Sequence, residues 1–106
     1  MREAIYYFKG AIHVGGKGIL TFYKTKKFEV SRAWNGNIYL DHNGTTIAKF
    51  FLENGTPCIR LSGETPYEIR VCRALVRSCG SSTEYNGGTV YVDITQQYRA
   101  IKECEI

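Results

Sequence analysis

Short stretches of alternating apolar and polar residues, separated by Asn-Gly pairs, dominate the chain up to residue 62. The pairs are Asn35-Gly36, Asn43-Gly44 and Asn54-Gly55. Asn-Gly readily adopts the two consecutive positive φ angles of a type I′ turn, whose twist suits antiparallel strands. The pattern therefore predicts a series of hairpins whose strands lie at Lys27–Trp34, Asn37–Asp41, Thr45–Glu53 and Pro57–Ser62.

Two further strands are predicted ahead of these hairpins. Ala4–Val14 and Ile19–Lys24 flank the glycine-rich segment Gly15-Gly16-Lys17-Gly18, which is typical of a hairpin. Gly10 would then mark a β-bulge in the long first strand. The glycine-rich segment could also cradle a phosphate through its backbone amides. It lacks the Gly-Lys-Ser/Thr ending and the following helix of a phosphate-binding loop, so a plain hairpin loop is favoured.

The pattern becomes helical after Gly63. Thr65-Pro66-Tyr67-Glu68 is a capping box in which Thr65 is the N-cap and the side chain of Glu68 reaches back to orphaned amides. The helix is expected to end near Cys79, because Gly80 tolerates the left-handed conformation that closes a helix. Spacing of 100° per residue predicts one apolar face. That face consists of Ile69, Val71, Cys72, Leu75, Val76 and Cys79.

The last quarter of the chain predicts a loop, a strand and an ambiguous segment. Residues 81–88 are polar, and Thr89–Thr95 alternates as a strand does. In Gln96–Ile106 a strand is preferred, although Gln97–Glu103 could also form a short helix. The alternation that favours the strand is carried by Tyr98, Ala100, Cys104 and Ile106.

These elements predict an α+β fold. We expect an antiparallel β-meander of six to eight strands packed against one principal α-helix at about residues 66–79. A length of 106 residues fits a single domain spanning residues 1–106. The formal net charge is +4, which makes acidic partners more favourable without approaching the basicity of a histone. No apolar run is long enough to cross a bilayer and no signal peptide is visible, so the expected location is cytoplasmic with no membrane partner.

The cysteines do not match a metal-binding pattern. Cys72 and Cys79 share a helix face but lie about 10 Å apart along its axis, too far for a disulfide or a shared ion. Cys58 could pair with Cys104, or share an ion with a histidine. Free buried thiols are favoured instead. The sequence therefore predicts no metal and no cofactor.

Catalytic machinery is equally hard to place. Nucleophilic catalysis requires a nucleophile beside an oriented base. The two histidines are His13, in a predicted strand, and His42, beside a turn. No Gly-x-Ser-x-Gly elbow surrounds any serine. We expect no catalytic residues and no enzymatic activity, with a small enzyme of unrecognised site as an alternative.

Two basic features are candidate binding surfaces. Tyr23 is followed by Lys24, Lys26 and Lys27, which we call the lysine turn. Arg70, Arg73 and Arg77 cluster on the polar side of the predicted helix, and we call them the arginine stripe. Guanidinium groups form forked contacts with carboxylates and phosphates. For each feature a solvated helix face or a lysine-protected sheet edge is the simpler interpretation.

Residues 36–79 resemble segments of small uncharacterised bacteriophage proteins. The resemblance runs through Asn37-Ile38-Tyr39-Leu40, Gly44-Thr45-Thr46-Ile47-Ala48-Lys49-Phe50, Asn54-Gly55, Ile59-Arg60-Leu61-Ser62 and the helix Thr65–Cys79. It implies a phage-borne accessory protein that binds and inhibits a host protein or defence complex in the bacterial cytoplasm. Anti-CRISPR proteins are one such kind.

Two partners are compatible with the basic features. The first is a host protein or nucleoprotein complex with an acidic surface, bound through the arginine stripe and the lysine turn. The second is nucleic acid, with the lysines and arginines on phosphates and Tyr23 or Trp34 stacked on a base. The basic-aromatic-basic motif of an RNA-recognition sheet is absent from the sequence.

Overall fold

One antiparallel sheet and three α-helices form the part of the chain that the computed structural model describes, residues 1–103. The strands pair in sequence order, as a meander requires. They are β1 (Leu20–Lys24), β2 (Phe28–Arg32), β3 (Ile38–His42), β4 (Thr45–Glu53), β5 (Thr56–Leu61) and β6 (Val90–Asp93). The helices are α1 (Arg2–Val14), α2 (Pro66–Ser78) and α3 (Thr95–Glu103). The predicted α+β class is confirmed, with six strands.

Two of the three predicted type I′ turns are confirmed. Asn43 and Asn54 each have a φ of 51°, and the glycines that follow them have φ values of 82° and 84°. At Asn35-Gly36 the prediction is wrong, because only Gly36 has a positive φ, 95°. There the Asn35 side chain accepts the amide of Asn37 at 3.1 Å. This bond holds the asparagine in a longer turn instead.

A β-bulge in β4 shifts the register between β3 and β4. Leu40 pairs with Ala48 while Asp41 pairs with Thr46, so Ile47 is the extra residue. The carbonyl of Ile47 instead accepts the amide of Ser62 at 2.9 Å. The bulge turns two consecutive residues inward, and both Ile47 and Ala48 are fully buried.

The segment predicted as the first strand is a helix. Residues 2–14 form α1, and Gly10 lies inside it rather than at a bulge. The apolar positions recur at helical spacing and form one buried stripe, which outweighs the β-tendency of the adjacent tyrosines. The buried residues of α1 are Ala4, Ile5, Phe8, Ala11 and Ile12.

The segment after β6 is also helical, where a strand was preferred. The Asp93 carboxylate accepts both the amide and the hydroxyl of Thr95, at 2.8 and 2.6 Å, which satisfies donors at the start of α3. These hydrogen bonds lower the pKa of Asp93. Tyr98 stacks on Phe50 with ring centres 5.7 Å apart, which fixes α3 against the sheet. Cys104 and Ile106, which also belong to the predicted strand, lie outside the described residues.

The capping box at the start of α2 is confirmed and extends into the sheet. The Thr65 hydroxyl accepts the Glu68 amide at 3.1 Å, and the Glu68 carboxylate accepts the amides of Glu64 and Thr65 at 3.0 and 3.3 Å. The second carboxylate oxygen of Glu68 accepts a hydrogen bond from Nδ1 of His42, on β3, at 2.6 Å. Glu68 and His42 are 5% and 8% exposed. One carboxylate thus caps a helix and ties it to a strand.

All three helices lie against the same face of the sheet. α1 contacts β1, β2 and β3, while α2 contacts β4 and α3 contacts β5. The expected single principal helix is therefore one of three, and α1 has the broadest contact with the sheet. The opposite face carries no helix within residues 1–103. None of the helices described there is long and apolar enough to span a bilayer.

We predict that Glu68→Gln lowers the free energy of unfolding by about 1–3 kcal/mol at pH 7, because it weakens a cap and leaves buried donors poorly paired. Burial disfavours ionisation of Glu68, but the hydrogen bonds from His42 and two amides outweigh it and lower the pKa. A lowered carboxyl pKa stabilises the folded state above the ordinary value of about 4.3, and this stabilisation is lost as pH falls through the folded pKa. Urea unfolding between pH 7 and pH 3 measures both effects.

Glu64→Gln is the matched control, since it removes the same charge from an exposed side chain four residues earlier. It should leave stability within about 0.5 kcal/mol of the wild type. Equal acid sensitivity in the wild type and Glu68→Gln would contradict the assignment.

Candidate functional site

The three residues of the arginine stripe differ in their contacts within the protein. Arg70 and Arg77 are exposed, and neither forms an ion pair with a carboxylate in the described part of the chain. The Arg70 guanidinium lies 5.7 Å from the ring centre of Tyr67. Arg73 instead donates to the carbonyl of Tyr85 and to the side chain of Asn86, both at 3.1 Å. Two of the three predicted arginines are therefore available to a partner.

Arg73 belongs to the anchorage of the loop between α2 and β6. Tyr85 is fully buried, and its hydroxyl accepts the amide of Gly63 at 2.8 Å and donates to the carbonyl of Gly88 at 2.6 Å. Arg73 holds the same tyrosine through its carbonyl. Its role is structural, which helical periodicity alone does not reveal.

The lysine turn joins β1 to β2, and its lysines are exposed. Phe28 and Tyr67 have ring centres 6.3 Å apart, which places this turn beside the first turn of α2. Tyr23 does not accompany the lysines, because it stacks on Tyr7 of α1 at 4.8 Å and donates to Glu3 at 3.5 Å. The structure thus brings the lysine turn near Arg70 and assigns Tyr23 to the packing of α1.

The glycine-rich segment is held by hydrogen bonds from the side chain of Arg32. Arg32 donates from Nε to the carbonyl of Gly18 at 2.8 Å and from a terminal nitrogen to the carbonyl of Gly15. Carbonyl groups that converge on a guanidinium do not form an anion-binding nest, which requires converging amides. The segment connects α1 to β1 and is a structural turn.

The buried thiols and the histidines are engaged in the fold. Burial raises the pKa of both Cys72 and Cys79 to about 11, which makes them weak nucleophiles at neutral pH. His42 is bonded to Glu68, and His13 donates from Nδ1 to the carbonyl of Ile101 at 2.8 Å. Within residues 1–103 no group of three potential ligand side chains could hold a metal ion. The alternative pairing of Cys58 with Cys104 involves a residue outside the described part.

A cleft of about 1100 Å³ lies between α1 and the adjoining ends of α2 and α3. Its walls include Ile5, Tyr6 and Ala74. The ammonium group of Lys9, at its edge, donates to the carbonyl of Ser78 at 2.9 Å. No residue of the arginine stripe or the lysine turn lines this cleft. The predicted binding residues therefore belong to other surfaces.

The open face of the sheet carries an unusual row of side chains. The register aligns one residue from each strand across all six strands. The row consists of Thr21, Ser31, Tyr39, Lys49, Arg60 and Tyr91. Phe51 lies beside it on β4. We name Tyr39, Lys49, Phe51, Arg60 and Tyr91 the open-face cluster.

Aromatic rings lie against the Lys49 ammonium and against each other in the open-face cluster. The Lys49 ammonium lies 6.0 Å from the ring centre of Tyr39 and 5.0 Å from that of Phe51. Phe51 and Tyr91 meet edge to face at 6.2 Å. Tyr91 is 62% exposed, and the other members are half-buried. The cluster is an aromatic platform with positive charge at its centre.

The cations of the open-face cluster, Lys49 and Arg60, have no carboxylate partner among the described residues. Lys49 and Arg60 pair directly across β4 and β5, and like charges in that position destabilise a sheet. The Nε atom of Arg60 is buried and has no hydrogen-bond partner among the described residues. Strand alternation places four acids on this face: Asp41 accepts the hydroxyl of Thr46 at 2.7 Å, Asp93 caps α3, and neither Glu29 nor Glu53 forms an ion pair with Lys49 or Arg60. The site is therefore suited to an anion supplied by a partner.

None of the open-face cluster was predicted as a binding residue, although part of it could be derived from the turn chemistry. A two-residue hairpin at Asn54-Gly55 pairs positions equidistant from the turn, which puts Lys49 opposite Arg60. Tyr39 reaches Lys49 only through the bulge at Ile47. Tyr91 arrives from a distant strand. Trp34, which is an alternative to Tyr23 for stacking on a base if the partner is nucleic acid, is 74% exposed in the turn between β2 and β3, outside the cluster.

We predict that Arg60→Met raises the free energy of unfolding by about 0.5–1 kcal/mol, because it removes a like-charge pair and a buried unpaired donor while keeping the apolar stem. Lys24→Met is the control, since Lys24 lies opposite Glu29 in the strand register and its loss removes a cross-strand pair of opposite charges. Urea unfolding of both variants at low ionic strength provides the comparison. A loss of stability in Arg60→Met would show that the arginine serves the fold.

Comparison with known proteins gives no functional assignment for this chain. No protein-family model matches the chain, and neither a curated protein nor a solved structure matches it.

Proposed function

We propose that the protein is a non-catalytic binding module that holds an anionic polymer on the open face of its sheet. The observation that carries this proposal is the pair formed by Lys49 and Arg60, which lie directly opposite each other without a carboxylate partner among the described residues. Such a pair costs stability in the free protein. An anion bound between the two groups is attracted to both, which offsets their mutual repulsion.

The surroundings of the pair support the same proposal. A sheet is rigid, so the backbone positions of the two cations are fixed before a partner arrives and no loop has to be ordered on binding. The arginine provides a planar, forked donor group, which suits the oxygens of phosphate, sulfate and carboxylate. A repeating polymer would place successive anions on Lys49 and Arg60, in the middle of the row from β3 to β6.

A second candidate is the inhibition of a host protein or defence complex, the function implied by the bacteriophage resemblance. Arg70 and Arg77 favour it, because both are exposed on a rigid helix without an ion-pair partner among the described residues. Arginine is enriched at interface hot spots. α2 packs on the helix-covered face of the sheet, so these arginines and the open-face cluster lie on opposite sides of the molecule.

The two surfaces can be separated by two variants that remove the same charge. We predict that Lys49→Gln/Arg60→Gln weakens binding of a fluorescent heparin fragment at least about tenfold, because a hydrogen bond to a charged group contributes roughly 1.5–3 kcal/mol. Fluorescence anisotropy at fixed ionic strength measures the affinity. Elution from a heparin column against salt provides an independent value.

Arg70→Gln/Arg77→Gln is the matched control, since it also removes two positive charges, from the other side of the molecule. It should bind the fragment with an affinity within about threefold of the wild type, as expected for screened distant charges. A larger loss in the helix variant than in the sheet variant would transfer the site to the arginine stripe and overturn the proposal.

A further inference from the structure

We propose that the partner of the open-face cluster is a single-stranded nucleic acid. This inference rests on the proposed function and names the polymer. Lys49 and Arg60 would hold backbone phosphate, while Tyr39, Phe51 and Tyr91 would stack on unpaired bases. All five members of the cluster would contact such a strand, whereas a partner bound through charge alone would contact only Lys49 and Arg60.

The positions of the rings favour bases over other anionic polymers. Tyr39 and Tyr91 occupy the two ends of the four-strand row whose middle positions are Lys49 and Arg60. Neighbouring strands are about 4.8 Å apart, so the two tyrosines lie roughly 14 Å apart on the same face. A sulfated sugar or an acidic peptide would occupy the cations but offer no flat π-face to these rings. A base offers one at every nucleotide, which makes stacking tolerant of sequence.

The flat shape of the face favours a single strand over a duplex. In a duplex the faces of the bases are covered by their neighbours, and only the phosphates and the base edges in the grooves are exposed. Unpaired bases can spread out and lie on aromatic side chains. Sheet faces with such side chains bind two or three bases in RNA-recognition domains. The chain lacks their sequence motif, so the shared feature is the chemistry of the face.

The exposure of the rings in the open-face cluster leaves them accessible to a base. Tyr91 is 62% exposed, and Phe51 meets it edge to face, which leaves the face of one ring free for a further partner. The Lys49 ammonium lies between Tyr39 and Phe51. A phosphate on that ammonium would therefore place the attached bases within reach of a ring on either side.

The test compares nucleic acids that differ in one property at a time. Fluorescence anisotropy would measure the affinity for a labelled mixed-sequence 12-nucleotide strand, as RNA and as DNA, for its duplex, and for an abasic strand of equal charge. We expect the single strand to bind at least about tenfold more tightly than the duplex and the abasic strand, because each stacked base contributes substantially to affinity. A preference for RNA or for DNA would identify the natural strand, and both support the proposal.

Variants then locate the contacts. Tyr39→Leu, Phe51→Leu and Tyr91→Leu keep apolar bulk and should each weaken binding of the single strand about fivefold or more, without changing the affinity for the abasic strand. Lys49→Gln/Arg60→Gln should weaken binding of both strands and reduce the slope of log affinity against log salt by about 1.4. Arg70→Gln/Arg77→Gln should change neither. Urea unfolding confirms that each variant is folded, and the comparison of strands on the wild type needs no variant.

Failure of this inference can be distinguished from failure of the proposed function. Equal affinity for the single strand and the abasic strand would overturn base stacking while leaving the binding of an anionic polymer intact. Loss of heparin binding in Lys49→Gln/Arg60→Gln with no binding of any nucleic acid would assign the face to another polyanion. No effect of the sheet variant on any anionic polymer would overturn both.

Discussion

The arrangement of this protein follows from the different chemistry of the two faces of its sheet. One face is apolar and has to be buried, and the other is left exposed. Strands β2 to β5 turn branched and aromatic apolar residues to one side, where Val30, Leu40, Ile59 and Leu61 are fully buried. Burial of that surface is the main stabilising contribution of the fold. All three helices are needed to cover it, so none covers the other face within residues 1–103. The exposed face keeps its half-buried side chains in a fixed register, and this constraint produces the open-face cluster.

A small number of polar contacts hold the helices in place over the apolar face. The Glu68 carboxylate caps α2 and bonds to His42 on β3. The Tyr85 hydroxyl fixes the loop after α2 against Gly63. Because each contact joins an element to another that is distant in sequence, they fix the relative positions of elements that hydrophobic burial alone would leave adjustable. The arrangement also removes Arg73 from the surface available to a partner.

The electrostatics of the two faces suggest a division of roles. Charged groups on the helix-covered side are partly satisfied within the chain, as Arg32 and Arg73 are by backbone carbonyls. On the open face, Lys49 and Arg60 lie side by side with aromatic rings and no internal acid partner among the described residues. A feature that costs stability and has no structural function is typical of a binding site. The proposed binding of a single-stranded nucleic acid supplies both the anion and the flat partners that this face lacks.

The sequence by itself determined the elements whose signals are local. Asn43-Gly44 and Asn54-Gly55 specify type I′ turns because asparagine and glycine tolerate positive φ, and the capping box specifies the start of α2 because its partners are three residues apart. The hairpin at Asn54-Gly55 even implies that Lys49 faces Arg60. Tertiary structure decided the rest. α1 and α3 are helical because their apolar stripes find a surface to cover, and Tyr39 and Tyr91 join the cluster through a bulge and a strand that returns to β5 after a helix and a loop. Such contacts depend on the packing of distant segments, which no local pattern of residues encodes.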